Sequence, residues 1–262
     1  SSYGAKDLES PHIDKLMESG MRFDSFYANC PVCSPTRAAL LCGRYQELVG
    51  VPGVVRTHAE NNWGYLKQGA VLLPQVLKPA GYHTAIIGKW HLGLEEENQP
   101  TRRGFDFFHG FLGDMMDDYY KHRRHGNHYM RKNEEPVTPK GHATDIFTQW
   151  AVDYIGEQAK TERPFFLYLA LTAPHTPTSP GVNFQGKSTL GVYGDFVMEV
   201  DHAVKRVMDA LEEKGLDQET LLLFASDHGP APYAGNILKA TPGQIHLLEE
   251  KGHYPNGLHR GY

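Results

Sequence analysis

The spacing of apolar residues along this chain separates helices from buried strands. Ser10 and Pro11 precede HIDKLMESG, whose spaced apolar residues stop at Gly20. Pro suits a first helical turn and Gly a helix exit, so a helix is expected over 10–20. Residues 21–27 alternate as a short strand does. Helices are expected over 35–41, closed by Gly43, and over 72–79, before Gly81. A strand is expected over 83–87. Ile146, Phe147, Trp150, Ala151, Tyr154 and Ile155 recur at helical spacing, which predicts a helix over 144–159. FFLYLAL, at 165–171 after Pro164, is a continuous apolar run and reads as a strand buried on both faces. A long amphipathic helix is expected over 193–214, ending at Gly215, and a second buried strand at LLLFA, 221–225. Residues 113–141 are polar, rich in His and Arg and without period. They read as an inserted loop region and not as a linker between domains. Helices alternating with buried strands predict an α/β fold: a mainly parallel central sheet with helices on both faces.

Composition changes this picture little. A chain of 262 residues can build a sizeable core as one large domain or two small ones. With 40% hydrophobic and 22% charged residues it is ordinary for a globular protein. A net charge of -5 gives no global pull toward nucleic acid or an anionic membrane, and no apolar run reaches the length of a membrane span. Three cysteines do not make a disulfide framework. The chain opens with SSYGAKDLES and no initiator Met, so an export signal is not visible. Fifteen histidines direct attention to metal and proton-transfer chemistry.

Position then selects the candidate residues. Lys89 and His91 follow the first predicted strand, Ala173-Pro174-His175 follows FFLYLAL, and Ser226-Asp227-His228-Gly229 follows LLLFA. Three ionisable clusters therefore sit at C-terminal ends of expected strands, the edge at which open α/β sheets bind ligands. A fourth cluster is Cys33-Ser34-Pro35-Thr36-Arg37. If Pro35 starts the helix, Cys33 lies just off an N-terminus, whose partial positive charge and N–H groups suit an anion. Arg37 adds a cationic fork one turn in.

These segments carry a resemblance. CSPTRAALLCGR is similar to the sulfatase signature Cys-x-Pro-x-Arg with its small-residue helix and Gly-Arg. GYHTAIIGKWHLG, at 81–93, resembles the second sulfatase signature along its whole length. RRGFDFFHGF, APHTP and SDHG resemble three further active-site segments in the same order. One pentapeptide would be weak evidence; five ordered segments are strong. The chain thus resembles the formylglycine-dependent sulfatases, of alkaline-phosphatase-like fold.

The resemblance implies hydrolysis of a sulfate monoester, with sulfated carbohydrate as the substrate class. Cys33 would be converted by a formylglycine-generating enzyme to formylglycine, an aldehyde that hydrates to a gem-diol. One hydroxyl would attack sulfur and the second would let the sulfated intermediate collapse and expel sulfate, an exit that a serine lacks. Arg37 would hold the diol. Lys89 and His175 would bind sulfate and the leaving oxygen, one of them donating the proton to the departing alcohol. His91 would orient or deprotonate the diol. Cys33 in its modified form, Asp227 and His228 would ligate a divalent cation, Ca²⁺ or Mg²⁺. His228 stands where many members have Asn, and imidazole suits softer cations than Ca²⁺. Periplasmic, extracellular or lysosome-like residence is the compartment the resemblance implies.

The family pattern also has parts without a match here. An Asp-Asp pair after a first strand is expected shortly before Ser1, and Asp7, Asp14 and Asp24 do not sit in its context. Residues 256–262 resemble the lead-in to a sulfate-contacting Lys. The expected domain is therefore a partial sulfatase catalytic domain over 1–262, lacking a first strand and a C-terminal subdomain. Two other readings are open: a phosphonate or phosphate ester hydrolase with the same nucleophile and metal, and a non-catalytic protein that binds sulfated glycans. Cys30-Pro-Val-Cys33 also has the spacing of a redox pair, but lacks a thioredoxin-like setting. His122, Arg123, Arg124, His125 and His128 read either as a solvated loop or as a grip on an anionic substrate.

Overall fold

The computed structural model describes residues 4–58, 60, 62–232 and 244–257. They divide into two compact units: one of Ala28–Thr172, the other of Ser1–Tyr27 with Ala173–Tyr262.

The 28–172 unit is built on a five-stranded sheet of β1 (His83–Lys89), β2 (Phe107–Phe111), β5 (Met130–Lys132), β6 (Glu135–Pro136) and β7 (Phe165–Ala170), in the order β6-β5-β2-β1-β7. β3 (Arg123–Arg124) and β4 (Asn127–His128) form a separate small hairpin. β1 runs parallel to both of its neighbours, β2 and β7, while β5 and β6 add an antiparallel edge. The three longest strands are thus parallel, as expected.

Side chains of a strand alternate between faces, so residue parity sorts this sheet. Ile86, Phe108, Phe166 and Tyr168 join one core with Trp90, with Ala38 and Leu41 of helix α2 (Cys33–Cys42), and with Leu72, which precedes α3 (Leu73–Leu77). On the opposite parity, Phe107 stacks on Tyr154 with centroids 5.8 Å apart, and His109 stacks on Trp150. Both partners belong to helix α4 (Ala143–Gln158), so helices cover the two faces. Each fully buried Ile, Leu or Phe contributes about 1.5–3 kcal/mol through removal from water.

In the other unit, α1 (Pro11–Glu18) packs on α5 (Val192–Glu213), followed by α6 (Gln244–Glu250). Three acids of α5 are buried, and each accepts backbone N–H groups. Asp201 takes the amides of His12 and Ile13 at 3.0 and 2.8 Å, capping α1 from outside. Asp195 takes those of Gly186, Lys187 and Ser188, and Glu199 that of Gly181.

Several expectations are corrected. Residues 21–27 are exposed and form no strand, and neither do 221–225, where Leu221, Leu223 and Phe224 are exposed. A strand exists only where a neighbour completes its ladder, and neither segment has one among the described residues. β7 is half-buried, not buried on both faces, because it is an edge strand. Residues 113–141 are not merely loop: β5 and β6 extend the main sheet. Helix α2 begins at Cys33, two residues before Pro35, so Cys33 lies within the first turn. Of the 256–262 stretch, residues 258–262 lie outside the described residues.

Candidate active site

Four of the sequence-selected residues fall in the 28–172 unit. β1 ends at Lys89 and the chain continues through Trp90 to His91, whose backbone N–H still reaches Leu112 O at 3.2 Å. Lys89 and His91 therefore stand at the C-terminal edge of the sheet, as expected from topology. Cys33 is the first residue of α2 and Arg37 lies one turn on. All four are buried, with exposures of 8% for Cys33, 4% for Arg37, 2% for Lys89 and 4% for His91.

The backbone of a single residue, Val55, fastens these pieces. The Val55 N–H donates to Ser34 Oγ at 3.1 Å, which anchors the first turn of α2. The Val55 carbonyl accepts from His91 Nε2 at 2.8 Å. Arg37 Nη1 donates to the Lys89 carbonyl at 2.8 Å, tying α2 directly to the end of β1. Thr36 Oγ1 reaches the Cys30 carbonyl at 2.6 Å and fixes the approach to the helix. His91 itself has φ of 64°, left-handed backbone that a non-glycine residue rarely adopts.

This geometry sets the state of the imidazole. With Nε2–H donated to a carbonyl, the neutral ring carries its lone pair on Nδ1, which is buried and makes no hydrogen bond of ordinary geometry. The ring contacts the Cys33 thiol. Burial first, then the neighbouring Lys89 charge, push the His91 pKa down to about 4, against a smaller opposing pull from Cys33. His91 is thus a neutral imidazole beside residue 33, with the buried cations Arg37 and Lys89 nearby and the buried Asp114 carboxylate also acting on its ring. Chemically, a buried neutral imidazole in contact with a side chain can take up a proton from it, and cations close by favour an anion.

The other unit holds His175, Asp227 and His228. His175 Nδ1 donates to the Thr176 carbonyl at 2.7 Å. His228 Nδ1 donates to the Gly229 carbonyl at 2.7 Å, which makes Nε2 the lone-pair nitrogen of the neutral ring. That Nε2 lies 3.9 Å from Asp227 Oδ1. A carboxylate and an oriented imidazole at this separation are a donor pair that one divalent cation can bridge, so the residues fit such an ion in kind. Asp227 and His228 do not follow a strand, contrary to expectation; their turn is held by Ser226 Oγ on the His228 carbonyl at 2.6 Å.

Two contributors escaped the sequence. Val55 acts through its backbone, which leaves no side-chain signal. Asp114 is buried and binds Arg124 through two bonds, Nε–Oδ1 at 2.8 Å and Nη2–Oδ2 at 3.1 Å. Arg124 also binds Asp117 at 2.9 Å, so this arginine is a buried staple and not a solvated loop charge. His122 is likewise buried, its Nε2–H donating to the Gly141 carbonyl at 3.0 Å.

Comparison with known proteins now adds to the geometry. The family model described as Sulfatase matches residues 1–261. N-acetylgalactosamine-6-sulfatase of Canis lupus familiaris is 35% identical over 246 residues, covering 87% of this chain and 47% of that protein. Arylsulfatase A of Homo sapiens is 33% identical over 257 residues, covering 87% and 48%. The crystal structure of Ps i-CgsB in complex with k-i-k-neocarrahexaose is similar with a TM-score of 0.82 at 30% identity, over 92% of this chain and 58% of that one. The chain spans about half the length of the curated relatives it matches. No helix among the described residues is long and apolar enough to cross a membrane.

Proposed function

This chain belongs to the sulfatase family, and we propose on that premise that it carries the nucleophile end of a sulfuric ester hydrolase acting on a sulfated carbohydrate. The observation that supports this most directly is the Val55 backbone, whose N–H and carbonyl hold the first turn of α2 and the neutral imidazole of His91 together. The sugar class is supported by similar proteins: one is named N-acetylgalactosamine-6-sulfatase and another was crystallised with k-i-k-neocarrahexaose.

A formylglycine made from Cys33 by a formylglycine-generating enzyme would supply a hydrated aldehyde as nucleophile and its second hydroxyl as the means of releasing sulfate. The chain's own residues do the rest. His91 Nδ1 receives the proton of the attacking hydroxyl. Arg37 and Lys89 are fixed cations that offset charge developing on the sulfate oxygens, strongest where water is excluded. Either Lys89 or His175, the latter as an imidazolium whose Nδ1–H stays on the Thr176 carbonyl, delivers a proton to the leaving alcohol oxygen. Asp227 Oδ1 and His228 Nε2 would hold the divalent cation, Ca²⁺ or Mg²⁺, which would lower the nucleophile's pKa and polarise sulfate.

The test begins with peptide mass spectrometry on residue 33 after co-production with a formylglycine-generating enzyme, followed by sulfate release from aryl and sugar sulfates. Conversion of Cys33 together with sulfate release is expected. An intact Cys33 thiol beside a competent maturation enzyme, or faster turnover of phosphonates than of sulfates, overturns the assignment.

A further inference from the structure

The His- and Arg-rich hairpin has a partner that the sequence did not reveal. His125 and His58 are both exposed, and their rings meet edge to face with centroids 5.9 Å apart. They come from two loops, and each loop is fastened inside the same unit. Val55, three residues before His58, binds both Ser34 and His91. Three residues of chain reach at most about 11 Å, which keeps His58 near the base. Arg56 N–H donates to Asn62 Oδ1 at 3.1 Å, bracing that loop. On the other side, Arg124 is clamped by Asp114 and Asp117, and the second Asp117 oxygen accepts the His125 N–H. Thr57 and Tyr129 join the loops through their side chains, and Tyr129 rests edge-on against Phe111 of β2 with centroids 5.9 Å apart.

The charges nearby follow a pattern. Asp114 and Asp117 are engaged by Arg124, and Asp118 Oδ1 accepts the N–H groups of Tyr120 and Lys121. Arg123 remains exposed at the hairpin and Arg56 half-exposed beside His58. Asp114 is buried and Asp117 and Asp118 are half-buried and engaged, while His58, His125 and Arg123 are exposed together with one acid, Glu60 on the His58 loop. An edge-to-face imidazole pair offers a ring face to sugar C–H groups and N–H donors to hydroxyl or sulfate oxygens. Because both rings are mounted on braced loops, little ordering would be needed on binding.

We propose that His58 and His125, flanked by Arg56 and Arg123, form a recognition rim for the sugar unit next to the one that carries the cleaved sulfate, so that the substrate is a sulfated oligosaccharide. This rests on the hydrolase reading above and specifies its substrate. The rim reads the neighbouring sugar while the Cys33 pocket takes the sulfate.

Calorimetric titration of a Cys33→Ala chain tests it, with tetrasaccharides of carrageenan, chondroitin sulfate and heparan sulfate and the sulfated monosaccharide of each. The best tetrasaccharide is expected to bind more tightly than its monosaccharide. His58→Ala/His125→Ala should weaken the tetrasaccharide about tenfold and leave the monosaccharide unchanged. His58→Gln/His125→Gln, which keeps donors and volume, should recover part of the loss; circular dichroism verifies the fold of each variant. Equal affinity for both sugar lengths, or a double variant that binds the tetrasaccharide as the parent does, overturns the rim while leaving sulfate hydrolysis intact. If no sulfated sugar of either length binds and the Cys33 chain releases no sulfate from aryl sulfates, both readings fall.

Discussion

At the residue scale the site turns on His91. Its Nε2–H bond to Val55 and its burial keep it neutral, which is what a proton acceptor needs. His91→Gln preserves a donor for the Val55 carbonyl but removes the base. Sulfate release by the matured enzyme should fall about 10²–10⁴-fold with substrate affinity little changed, measured as a kcat loss at constant KM. The same burial couples stability to pH. The unfolded imidazole titrates near 6.5 and the folded one at about 4. Between those values the unfolded chain binds the extra proton, so stability is full above pH 6.5 and declines as pH falls toward 4. The decline from this residue is on the order of 3 kcal/mol. His109, held at about 4 by burial against Trp150 and secondarily by Lys132, adds in the same direction. Urea midpoints at pH 7.5 and 5.0 check this: the drop should be smaller in His91→Gln, and an equal drop in both proteins would refute the linkage.

At the element scale the parallel core of the sheet depends on two glycines. Gly88 and Gly110 are register partners on β1 and β2, and Gly88 has φ of 106°. A Cβ on Gly110 would collide with the Gly88 carbonyl oxygen, and one on Gly88 with that of Ala170 on β7. Gly110→Ala must therefore push β2 from β1 just where Lys89 ends the strand. A loss of about 1–3 kcal/mol is expected, read as a lower thermal midpoint, with kcat falling as Lys89 shifts. Legibility followed the same local logic. Helices α1, α4 and α5 and strands β1 and β7 were visible because periodicity, Pro and Gly are local signals. The 221–225 strand was misread because an apolar run states only that a segment can be buried, and pairing depends on a neighbour. Cys33, Arg37, Lys89 and His91 were selected as candidates by residue type and by resemblance, whereas the Val55 backbone contacts and the His58–His125 pair arise only from tertiary contact.

At the scale of the whole molecule, surface left uncovered becomes the informative feature. Within the unit that contains both, Met21, Phe23, Phe26 and Tyr27 are 62–78% exposed, and Leu221 and Leu223 are 84% and 77% exposed. Large apolar side chains exposed in this number mark surfaces that associate. Residues 221–225 also have no ladder partner among the described residues, which leaves backbone donors and acceptors beside the apolar side chains outside any sheet. The chain as given should therefore self-associate with rising concentration. Leu223→Lys places a charge in the middle of the exposed run, a substitution that opposes edge pairing and apolar contact together. Sedimentation velocity across a hundredfold concentration range decides it. The parent should shift toward faster species and Leu223→Lys should remain near the monomer, while Cys33 conversion, which belongs to the other unit, stays the same in both. A parent that sediments as a monomer throughout would mean that these side chains are covered within the chain in solution. Association that persists undiminished in Leu223→Lys would move the sticky surface away from 221–225 and toward the 21–27 segment.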